Sequence, residues 1–164
     1  MKIHSFIFSL LILLTFFACK NDPTGGDLTV DIVGTYRGTA SLNLDTDSIQ
    51  DYENQVISIE KIYNEHVRII PVNYPSQSPV DSLILTATLT PTPYGFIRTE
   101  GVMLTIDELD FGQGVVRGTP FLVSGGGDLG EHGKYDRSTG SLIFALEIEK
   151  DGTASYELFD GQFQ

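Results

Sequence analysis

Hydrophobic and polar residues alternate along several stretches of this chain. In Gly34-Thr35-Tyr36-Arg37-Gly38-Thr39-Ala40-Ser41-Leu42-Asn43-Leu44 the even positions are apolar or small and the odd ones polar, the period of two that a half-buried strand requires. Leu83, Leu85, Ala87 and Leu89 share one face of the segment from Ser82 to Thr90, with Thr86, Thr88 and Thr90 on the other. Leu142, Phe144, Leu146 and Ile148 repeat the pattern near the C-terminus. There Lys150-Asp151-Gly152-Thr153 supplies a hairpin turn through Asp-Gly, and Ala154 to Phe163 returns as the last strand. A second turn stands at Asp136-Arg137-Ser138-Thr139-Gly140. Further strands are expected at 67–72, 95–107, 114–124 and 129–136. Pro120 breaks or bulges the third of these, because proline has no N–H to give to a ladder.

Residues 49–66 carry two patterns at once. Tyr52, Val56, Ile59, Tyr63, Val67 and Ile70 are spaced by three or four, the helical period, and Ser48 with Asp51 resembles an N-terminal cap. Against this stand the β-branched run Val56-Ile57-Ser58-Ile59 and the turn-like Tyr63-Asn64-Glu65-His66, which favour a strand leading into a hairpin. Strand is the expectation. With 17 Gly and seven Pro as punctuation, the whole reads as an all-β domain, an antiparallel meander of about eight strands. A closed or nearly closed barrel is preferred over a two-sheet sandwich, since closure removes exposed edges.

The first 18 residues do not fit that domain. Lys2 precedes an unbroken apolar stretch from Phe6 to Phe17, and Ala18 is a small residue before Cys19. This is the layout of an export signal, and the apolar stretch is shorter than the roughly 20 residues that span a bilayer. Cys19 is the only cysteine, so the chain forms no internal disulfide. Phe16-Phe17-Ala18-Cys19 resembles the lipobox of bacterial lipoproteins, which implies cleavage before Cys19, acylation of its thiol and a place in the cell envelope, on the outer membrane. One acyl chain is a marginal anchor and two or more a durable one. The polar stretch 20–27 then reads as a flexible tether from the lipidated Cys19, and the domain occupies 28–164. Removal of the signal leaves nine basic against 22 acidic residues, a net charge of −13. Such a surface repels phosphate backbones, so nucleic acid is excluded as a partner.

Over most of 33–163, the segments Val33-Gly34-Thr35-Tyr36-Arg37-Gly38-Thr39, Val56-Ile57-Ser58-Ile59-Glu60-Lys61 and Gly140-Ser141-Leu142-Ile143-Phe144, with a closing Tyr156 to Gly161, resemble the calycin-like, lipocalin-related barrel domains attached to bacterial lipoproteins. Where lipocalins proper open with Gly-x-Trp, this chain has Gly34-Thr35-Tyr36 and no tryptophan. The resemblance implies a barrel that receives a small, largely apolar ligand. Its lining would come from the inward faces, Tyr36, Leu42, Leu85, Leu89, Phe144, Leu146 and Tyr156. The alternative is a protein-interaction or inhibitor module of the envelope, with the loops Pro71 to Pro79 and Thr90 to Pro93 making contacts.

The residues give no catalytic assignment, no cofactor and no metal. Asp128, Glu131 and His132 lie in a Gly-rich segment, which reads as a solvated loop, because a zinc site wants ligands fixed by regular structure. Asp45, Asp47, Ser48, Asp51 and Glu53 lack the glycine and terminal glutamate of a calcium loop and read as a solvated acidic loop. Ser124-Gly125-Gly126-Gly127 lacks the lysine of a phosphate-binding loop, and no Gly-x-Ser-x-Gly elbow is present. A non-enzymatic binding protein is the expectation.

Overall fold

The computed structural model describes residues 27–45, 48–91, 101–112, 114–120 and 131–164. Its strands are β1 (Gly34–Asp45), β2 (Ser48–Tyr63), β3 (His66–Asn73), β4 (Leu85–Pro91), β5 (Gly101–Ile106), β6 (Leu109–Phe111), β7 (Gly114–Gly118), β8 (Gly133–Asp136), β9 (Ser141–Lys150) and β10 (Thr153–Phe163). All pair antiparallel in one sheet, and eight of them, in the order β10-β1-β2-β3-β4-β5-β8-β9, close into an uneven ring through pairing of β9 with β10. The all-β expectation holds. Among the described residues the only helical element is a 3-10 turn at Pro79–Ser82, and no helix is long and apolar enough to cross a membrane.

The two-pattern segment is strand to Tyr63, followed by the turn at 64–65 into β3. β2 pairs with β1 on one side and β3 on the other, and it buries Ile57 and Ile59. Tyr63, which the helical spacing placed on the apolar face, is exposed and stacks on His66 across the hairpin, with ring centroids 4.2 Å apart. Steric stiffness of the β-branched run favours the extended backbone over the helix.

Several elements differ from the sequence reading, among them the strand expected at 129–136, which as β8 begins only at Gly133. Residues 82–84 precede the strand, since the 3-10 turn ends at Ser82 and β4 begins at Leu85. β7 stops at Gly118, two residues short of the proline at 120. β6 was not expected; it forms a short hairpin with β7 around Gly112, whose φ is +35°. β7 and β8 share one edge of β9, with 114–118 against 146–150 and 133–136 against 141–144. At their junction Ala145 N–H donates to the His132 carbonyl at 2.9 Å and Thr119 N–H to the Ala145 carbonyl at 3.1 Å.

The ring encloses one contiguous core. Tyr36, Leu42, Leu85, Leu89, Leu104, Phe144 and Phe159 are all buried in it. Phe144 and Phe159 stack with centroids 5.3 Å apart, and burying such a side chain contributes about 1.5–3 kcal/mol. One end of the ring, where β1 begins, is crossed by residues 27–33. Ile32 is buried there, and its carbonyl accepts from the Tyr36 hydroxyl at 2.7 Å. Lys61 pairs with Asp27, and Arg137 pairs with Asp31 at 2.6 Å. Asp27, which the sequence left in the tether, is thus tied to the domain; the Lys61 hydrogen bond, then Thr29, hold its carboxyl down to about 2.

Candidate functional site

Six of the seven residues expected to line a ligand cavity sit together in the packed core: Tyr36, Leu42, Leu85, Leu89, Phe144 and Leu146. The Tyr36 ring packs edge-on against Tyr135 and Phe163, with centroids at 6.1 and 5.5 Å. Burial raises its hydroxyl above the ordinary tyrosine range. The seventh residue is a correction. Tyr156 is 48% exposed, on the outer face of β10. The two-residue turn at Asp151-Gly152, with φ of +52° and +77°, sets Thr153 opposite Lys150, and therefore Ser155 opposite Ile148, Glu157 opposite Leu146 and Phe159 opposite Phe144. Paired residues point to the same face of a sheet, so the inward even positions of β9 place the odd positions of β10 inside. Glu157 takes the inward place, and Tyr156 faces out.

That register builds a polar cleft of about 540 Å³ at the end of the ring opposite residues 27–33. One wall is the β9–β10 hairpin, with Ile148, Lys150, Asp151, Thr153, Ser155 and Glu157; the other is the connection between β3 and β4, from Ser76 to Ser82. Apolar anchors seat this connection. Tyr74 and Val80 are buried, and Leu83 packs against the core. Ser78 precedes the 3-10 turn and caps it, its Oγ accepting from Val80 N–H at 3.0 Å. Proline in the first turn suits the cap, since its missing N–H has no partner to lose there.

At the floor lies Glu157, 3% exposed. The Tyr74 hydroxyl donates to its Oε2 at 3.3 Å. Burial pushes the carboxyl up to about 7, against the opposing pull of the Ser78 and Tyr74 hydroxyls. Burial, with Glu157 beside it, likewise raises the Tyr74 hydroxyl. None of the seven residues named from sequence lines this cleft. The connection Pro71 to Pro79, named as a contact loop, supplies part of its wall, whereas 92–93 of the other loop lie outside the described residues, as does Cys19.

Of the Gly-rich segment expected to be a solvated loop, 128–130 lie outside the described residues, and the His132 side chain is not fully solvated. Its ring is half-buried, and Ile106 N–H donates to Nδ1 at 3.0 Å. It lies at the gap along the β9 edge between the end of β7 at Gly118 and the start of β8 at Gly133, so close to Gly118 that a Cβ there would stand 2.0 Å from the ring. Glu131 accepts from the Thr105 hydroxyl at 2.5 Å, and Asp128 lies outside the described residues. The register of β10 is the signal that would have found Glu157 in the sequence, since the Asp-Gly turn and the inward face of β9 together fix it. Nothing in the sequence brings Tyr74 and Ser78 to it. Comparison of the chain with protein-family models, with curated proteins and with solved structures found no match.

Proposed function

We propose that this chain is an envelope-anchored, non-enzymatic recognition module: acylated Cys19 holds it to the outer membrane, and the cleft end of its domain engages a partner protein. The observation that carries this reading is the contrast between the two ends of the ring. The end nearest the anchor is crossed and tied by residues 27–33, and the opposite end presents the connection 74–84 and an open polar cleft. A tether entering at one end leaves the other free to meet a partner. The interior, where an apolar ligand would sit, is occupied by Tyr36, Phe144, Phe159 and their neighbours, which favours surface recognition over enclosure. Prolines 75 and 79 in the connection lower the ordering cost of binding.

The test is site-specific photo-cross-linking in living cells. A cross-linker at Gln77, exposed on the cleft wall, should capture a discrete protein, and one at Glu60, exposed on β2, should not. Capture from both positions alike, or from neither, refutes the recognition face.

A further inference from the structure

The cleft floor holds a carboxyl group with no ion-paired cation among the described residues. Buried carboxylates are ordinarily paired or neutralised. Glu157 is nearly inaccessible, yet its partners are hydroxyls, those of Tyr74 and Ser78. Among the described residues no lysine or arginine forms an ion pair with it. Lys150 lines the same cleft but stands at the rim. It pairs with Thr153, four positions from Glu157 along β10, about 13 Å at the usual rise of a strand.

The remaining walls suit one kind of occupant. Asp81 and Asp151 outnumber Lys150, so an anion is repelled. Ser76, Ser82, Thr153 and Ser155 offer hydroxyl acceptors above the floor, and Ile148 and Pro79 offer apolar surface. An ammonium carries three donors and a guanidinium five, more than the acceptor sites left on a carboxylate that already accepts from the Tyr74 and Ser78 hydroxyls. Surrounding hydroxyls take the rest, and the apolar wall takes a hydrocarbon stem. The excess of acidic residues over the whole chain draws cations toward this end as toward any other; the buried carboxyl is what holds them here.

We infer that the cleft receives an ammonium or guanidinium group on a slender stem, whose charge pairs with the Glu157 carboxylate. This rests on the proposed recognition face and names the chemistry it takes, either a lysine or arginine side chain of a partner protein or a free alkylamine. Binding requires the ionised carboxylate, so below a carboxyl pKa of about 7 each pH unit weakens the affinity about tenfold. Among the described residues the other titratable groups facing the cleft are Tyr74, Asp81, Lys150 and Asp151.

The detergent-solubilised full-length protein is titrated with n-butylammonium and with the peptide acetyl-Gly-Arg-Gly-amide, with glucose as a neutral control, and the Glu157 carboxyl carbon is followed by NMR. Saturable binding by a cation is expected, with Kd rising about tenfold per unit between pH 6 and pH 5 and the carboxyl pKa falling on saturation. Glu157→Gln should weaken binding more than tenfold, and Asp81→Asn should leave the pH dependence in place. Tighter binding of the peptide identifies a protein side chain as the source, and tighter binding of butylammonium a small amine. Absence of binding by both cations, affinity indifferent to pH and to Glu157→Gln, or glucose binding as tightly as the cations overturns the inference. Should cross-linking from Gln77 persist in Glu157→Gln while neither cation binds, the inference fails and the recognition face stands; cation binding without any Gln77 cross-link gives the converse.

Discussion

Replacing Glu157 with Gln tests the buried carboxyl through stability alone. The side chain is 3% exposed, and its pKa moves from an ordinary 4.5 to about 7 on folding. Below pH 4.5 folded and unfolded chains are both protonated at this site, and Glu157 costs nothing. Between pH 4.5 and 7 the unfolded chain ionises while the folded one keeps its proton. Stability therefore falls with rising pH, by about 1.4 kcal/mol per unit. Above pH 7 both states are ionised and the loss levels off at about 3 kcal/mol. The Glu157→Gln side chain keeps an acceptor for the Tyr74 hydroxyl and removes the titration. Urea denaturation at pH 4.5, 6 and 8 should show the variant gaining about 3 kcal/mol relative to wild type between the first and the last. Any constant effect of fitting an amide into the site cancels in that difference. A wild-type-minus-variant difference that is flat with pH, or that runs the other way, refutes the assignment of a buried, uncompensated carboxyl.

Three further outcomes are expected. Phe144→Ala removes a buried ring stacked on Phe159 and should cost about 3–5 kcal/mol in chemical denaturation, whereas Ser141→Ala, near the turn, should cost less than about 0.5 kcal/mol; equal losses would show that the inward face of β9 is misassigned. Gly118→Ala drives a methyl into the His132 ring, 2.0 Å from the ideal Cβ, and should destabilise by about 1–3 kcal/mol; unchanged stability would mean that the ring is not fixed by its hydrogen bond to Ile106. Cys19→Ser should abolish labelling by a fatty-acid analogue and release the protein from the membrane fraction, and persistent labelling would dispose of the lipid anchor.

Local features of the fold were legible in the sequence. The period of two in 34–44 and 141–149 is imposed by the pleat, and it delivered Tyr36, Leu42, Phe144 and Leu146 to the interior. Likewise, Asp151-Gly152 dictated a two-residue turn because few other pairs tolerate positive φ at both positions. The β-branched run in β2 overrode a helical spacing that was real but weaker. For Tyr156 aromatic character points inward and the register outward, and the turn next to it fixes Glu157 as the inward residue. The register of this hairpin is therefore contained in the sequence.

The rest depended on how the ring closes. No pattern along 74–84 announces that Tyr74 and Ser78 fold over β10, because this contact spans about 80 residues of chain and exists only in the closed ring. β6 was too short to show a period. His132 reads as a loop residue until β7 and β8 are seen to share one edge of β9 and leave a gap its ring fills. The core follows from alternation, which each strand carries within itself. The cleft follows from which strand ends and which loop meet at one end of the ring, and its charged floor exists only because closure sealed a glutamate beneath a loop that brings no cation.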